Sequence, residues 1–90
     1  MSEDRVSIAL EISGGGWIAT VSVTDAIATI HRVRISRAEH ERYGGGDVTA
    51  LVRRSFEFLL AREANSSILR EFSLSDIERY FPEFAKEIRG

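Results

Sequence analysis

At 90 residues the chain has room for one domain, and a domain this short buries too little surface to be robust without support. It contains no cysteine, which excludes disulfides and zinc–thiolate sites, and its formal net charge of -2 argues for neither a nucleic-acid polycation nor an acidic tail. Self-association is the support that remains.

The start, MSEDRVSIAL, lacks the basic lead and continuous apolar core of a secretory signal. No apolar stretch approaches the ~20 residues of a membrane helix. A soluble cytoplasmic protein is therefore expected, with no membrane partner.

Val6, Ile8, Leu10 and Ile12 alternate with Ser7, Ala9 and Glu11, the period-two pattern of a half-buried strand. Ser13-Gly14-Gly15-Gly16 supplies a turn, and Trp17 to Thr24 alternates again with many β-branched residues. These runs predict a hairpin. After the weaker turn signal Asp25-Ala26, residues 27–35 predict a third strand antiparallel to the second. It would set His31, Val33 and Ile35 against Arg32 and Arg34, with an irregular start near Ala26 to Thr29.

Ser36-Arg37-Ala38-Glu39 is a capping box for a short helix that Gly44-Gly45-Gly46 stops. Asp47 or Thr49 caps the main helix, whose wide apolar stripe runs through Leu51, Val52, Phe56, Leu59 and Leu60. Asn65 suits a helix end, because Asn tolerates left-handed angles. Ser66 or Ser67 then opens a helical turn carrying Ile68, Leu69 and Phe72, and Ser75 to Glu78 is a second capping box. Pro82 should break the last segment, because it removes a donor and pushes Phe81 off helical angles. The expected class is α+β over residues 1–90. A three-stranded antiparallel sheet occupies about 5–35, and short, main and broken C-terminal helices occupy about 36–89.

The stretch from Leu51 to Phe84, LVRRSFEFLLAREANSSILREFSLSDIERYFPEF, resembles a group of small uncharacterised bacterial proteins. The resemblance rests on Phe56, Phe58, Leu59, Leu60, Arg62, Glu63, Ser67, Ile68, Leu69, Phe72, Leu74, Ile77, Tyr80, Phe81, Pro82 and Glu83. It departs at Ala64, where that group carries Pro. It implies a bacterial source and brings no activity, so no functional residue transfers.

The candidate chemistry is thin. Arg32 and Arg34 would lie about 7 Å apart on one strand face, a spacing that suits phosphates. Arg37, Arg53 and Arg54 extend this into a candidate nucleic-acid set, although aromatic interleaving is absent and a charge-protected sheet explains the pattern as well. Glu39-His40-Glu41 cannot converge on one ion, since successive helix positions point about 100° apart. Neither a HExxH nor a Gly-x-Ser-x-Gly motif is present. The two glycine triplets lack the Lys-Ser/Thr pair of a phosphate loop. The apolar C-terminal half exceeds what three short strands cover, and Phe58, Tyr80 and Phe84 are the candidate interface residues. The first expectation is a non-enzymatic protein-binding or regulatory module with no cofactor, working as a homodimer or with another protein. A nucleic-acid-binding regulator is the alternative, and an enzyme using His31 and His40 is a third.

Overall fold

The computed structural model describes residues 5–89. β1 (Val6–Ser13), β2 (Gly16–Thr24) and β3 (Ala28–Ile35) form an antiparallel meander, followed by α1 (Arg37–Arg42) and α2 (Val48–Leu60). A 3₁₀ turn (Asn65–Ser67) leads to β4 (Glu71–Ser73), α3 (Asp76–Tyr80) and α4 (Phe84–Arg89). The sheet order is β1-β2-β3-β4, with β4 parallel to β3. The α+β class therefore stands, but the sheet is mixed and has four strands where three antiparallel ones were expected.

The extra strand has a physical cause. Ile68, Leu69 and Phe72 fit helical spacing, but Phe72 and Leu74 are both buried, two apart, as a strand requires. The outer edge of β3 offers bonds to this segment. Arg32 N–H donates to Arg70 O at 2.7 Å, and Leu74 N–H donates to Arg34 O at 3.0 Å. Pairing with β3 thus overrides a weak local helical pattern, and only the 3₁₀ turn of the expected helix forms.

Two other local expectations fail for similar reasons. Asn65 does not adopt left-handed angles. It is buried, and its Nδ2 donates to Ile27 O and Thr29 Oγ1, each at 2.9 Å. Ser75 makes no side-chain cap. Its N–H is taken by Glu39, and Asp76 instead accepts from Ser73 N–H at 3.0 Å. The first capping box forms as expected, with Ser36 and Glu39 satisfying each other's N–H groups, and Asp47 caps α2. No bulge interrupts β3, whose register with β2 is continuous from Thr24–Ala28 to Trp17–Ile35, but the expected irregular start appears as a bend at Ala26 and Ile27 ahead of the strand.

The hairpin turn needs glycine twice. Gly14 has φ 58°, and a Cβ on Gly16 would overlap the Ile35 carbonyl oxygen. The expected break at Pro82 also appears. Phe81 sits at φ -133°, between α3 and α4.

The core lies between one sheet face and the helices. Val6, Ala19, Val21, Val23, Val33 and Ile35 meet Leu51, Val52, Phe56, Leu59, Phe84 and Ile88. Phe58 and Phe84, expected at an interface, belong to this core. Phe84 is fully buried, its ring 5.1 Å from those of Phe58 and Tyr43. Only Tyr80 of the three is exposed. The other sheet face carries Ser7, Ala9, Thr20, Ser22, Ile30, Arg32 and Arg34 and has no helix on it.

Candidate interaction surface

The sheet has two unlike edges. β4 closes one side with three residues, while β1 forms the other with eight. Thr24 N–H donates to Arg5 O at 2.8 Å, and the β1–β2 register is unbroken from Val6–Val23 to Ser13–Gly16. Antiparallel geometry then turns the backbone groups of Arg5, Ser7, Ala9, Glu11 and Ser13 toward β2. Those of Val6, Ile8, Leu10 and Ile12 turn outward. Arg53 Nη1 takes the Val6 carbonyl at 3.0 Å. Among the described residues, no backbone–backbone bond reaches the outward groups of Ile8, Leu10 and Ile12.

The same four residues carry an apolar row on the helix side that climbs out of the core. Val6 is 5% exposed, Ile8 is half-buried, Leu10 is 36% exposed and Ile12 is 81% exposed. Trp17, opposite Ile12 in the register, is half-buried against the His40 ring at 5.0 Å. Edge strands of stable proteins are usually guarded by proline, a bulge, an inward charge or short length. Val6 to Ile12 has no proline and no bulge, and its one charge, Glu11, lies on the open face, away from the apolar row. The edge was missed in the sequence because strand order is not a local property. A usable signal was present all the same: the apolar phase of the first strand holds no charge, and Ile12 lies next to the turn.

The sequence-selected residues are dispersed. Arg32 and Arg34 lie on the open sheet face, with Glu71 beside Arg32 in the register. Arg37 Nε donates to Gly15 O at 2.9 Å at the hairpin end. Arg53 and Arg54 are on α2, in the other layer. The five arginines therefore do not share one surface. Tyr80 and Leu69 flank an apolar groove of about 230 Å³ between α2, β4 and α3, floored by Phe72 and Ile77. His31 is buried between Leu69 O and Thr29 Oγ1, whereas His40 meets Gly46 O at 2.7 Å. Among the described residues, no group of three His, Asp or Glu is placed to hold a metal ion.

The strongest electrostatic feature is a clamp between α1 and α3. Arg42 grips both carboxylate oxygens of Glu78 at 2.9–3.0 Å, and the Tyr43 hydroxyl donates to Glu78 Oε1 at 2.7 Å. These bonds, chiefly that from Arg42, hold the Glu78 carboxyl below its ordinary value of 4.5. Burial, with the bond to Glu78, pushes the Tyr43 phenol up to about 12. A lowered carboxyl contributes stability that is fully present above its unfolded value. That contribution is lost as pH falls below 4.5 through the folded value. A raised phenol contributes stability present below its ordinary 10.0 and lost as pH rises through about 12. Glu78→Gln should therefore lower the melting temperature at neutral pH and flatten its decline below pH 4.5. Thermal melts across the acid range read this directly. Parallel curves for the two proteins would remove Glu78 from acid unfolding.

No helix among the described residues is long and apolar enough to cross a membrane. In comparisons with known proteins, no family model, no curated protein and no solved structure matches this chain.

Proposed function

We propose that this chain is a small non-enzymatic protein-binding module that takes an extended segment of its partner along β1. The observation that carries the reading is the eight-residue edge, apolar on one side, with the outward groups of Ile8, Leu10 and Ile12 reached by no backbone bond among the described residues. An added strand would bond the outward N–H and C=O groups of Ile8, Leu10 and Ile12, while its side chains cover Leu10 and Ile12. Main-chain bonds supply affinity in such pairing, and alternate side chains supply selectivity. The separation of Arg32 and Arg34 from Arg53 and Arg54 favours this reading over a nucleic-acid surface, which needs several cations on one face.

Leu10→Lys places a charge on the apolar side of the edge, the device that natural edges use for protection. Leu10→Pro removes an outward N–H without touching the ladder to β2. Quantitative affinity capture from cells that make the protein should lose its bound proteins with either variant. Capture should be retained with Leu69→Ser, in the groove, and with Arg32→Ala, on the open face. Partners held equally by the Leu10 variants would overturn the reading.

A further inference from the structure

We infer that the segment received by β1 is the β1 strand of a second copy, paired antiparallel about a twofold axis at Ala9. This rests on the strand-addition reading above and names its partner.

The argument is one of register. A residue whose backbone groups point outward must meet another such residue, so Val6, Ile8, Leu10 and Ile12 can pair only among themselves. An axis at Ala9 sets Ile8 against Leu10 of the second copy and Val6, whose carbonyl oxygen also accepts from Arg53, against Ile12, so every apolar side chain meets an apolar one. An axis at Ile8 runs Ile12 past the start of the other β1. An axis at Leu10 sets Val6 against Gly14 in the turn. The axis at Ala9 is therefore the register that uses the whole row.

The open-face residues agree with it. Ala9 would meet its own symmetry mate as a non-bonded pair, with Cα atoms about 4.5 Å apart, where a small side chain fits. Glu11 would face Ser7 of the second copy, with Arg5 diagonal to it, and the two Glu11 would stand roughly 14 Å apart. A twofold axis normal to the sheet puts both helical layers on one side. Leu10 and Ile12, exposed in the single chain, then lie against Ile8 and Val6 of the other copy.

The chain has no cysteine, so a single introduced thiol reads the axis directly. Ala9→Cys should form a disulfide-linked dimer under mild oxidation, because the Cα spacing at that pair suits the bond. Ser7→Cys alone and Glu11→Cys alone should remain uncrosslinked, while an equal mixture of those two variants should link. By sedimentation the unmodified protein should have twice its 10.1 kDa mass, and Leu10→Lys should weaken the dimer about a hundredfold. A monomer at every concentration would overturn self-pairing, and Leu10-dependent capture of a different protein would then leave strand addition standing. A dimer insensitive to Leu10→Lys, or crosslinking equally well at positions 7, 9 and 11, would also overturn the proposed register.

Discussion

Phe84→Ala is expected to cost about 3–5 kcal/mol of folding stability, the range for deleting a buried phenyl ring. A domain of this length holds about 5–13 kcal/mol in all, so the loss takes a large share of it. Phe84 is fully buried and joins three elements, its ring edge-on to Phe58 of α2 and tilted against Tyr43 at the end of α1. The break at Phe81 and Pro82 lets α4 start afresh and return to α2. The melting midpoint should fall by roughly 15–30 °C. Tyr80→Ala, four residues earlier and 68% exposed, should change stability by no more than about 0.5 kcal/mol. Urea titrations of both variants decide the matter, with Phe84→Leu as the milder substitution where Phe84→Ala does not fold. A small loss at Phe84 with a large one at Tyr80 would reverse the placement of the C-terminal aromatics.

Those aromatics mark the limit of what was legible in the sequence. The period-two runs gave β1, β2 and β3 with the correct faces inward, because each face is set by two-residue alternation within the strand itself. The caps at Ser36 and Asp47 were equally legible, since the bonds they make are local. β4 was not, because its three residues become a strand only through the edge of β3, about 40 residues earlier in the chain. Phe84 and Phe58 were indistinguishable from Tyr80 by spacing alone. Which of them is covered depends on how α4 folds back on α2, and a one-dimensional pattern does not carry that.

The candidate surface shows the same division. The apolar side of β1 could be read from the sequence, but its position at the edge could not. Ile12 looked like a core residue by alternation and is 81% exposed, because the helices cover the Val6 end of β1 and not the turn end. The bare face, by contrast, is otherwise polar, small or charged, and its large apolar residues, Ile18 on β2 and Ile30 on β3, lie four register positions apart. They form no continuous apolar row. The free edge and its apolar row are thus the part of the sheet on which association gains most.

Thr29→Val should cost about 1–3 kcal/mol although it changes shape very little. Thr29 sits in a buried chain of bonds whose polarity can be worked out from its ends. Leu69 O only accepts, so His31 Nδ1 carries the proton donated to it at 2.8 Å. In the neutral imidazole His31 Nε2 is then an acceptor, and the Thr29 hydroxyl donates to it at 2.9 Å. Asn65 Nδ2 completes the chain by donating to Thr29 Oγ1 at 2.9 Å. No buried side-chain nitrogen or oxygen among the described residues lacks a partner. Valine fills the same space but orphans His31 Nε2 and removes an acceptor from Asn65, in a site where His31 is fully buried. Thr29→Ser keeps the hydroxyl and should cost less than about 1.5 kcal/mol. Ser55→Ala is the contrasting case. Its hydroxyl only adds a bond to Leu51 O, which the helix already uses, so its removal should be nearly neutral. A double variant, Thr29→Val with His31→Leu, removes the orphan together with its lost partner. It should cost less than the sum of the two single changes. Additive costs in that cycle, measured by denaturant unfolding, would mean that the two groups do not act through one bond.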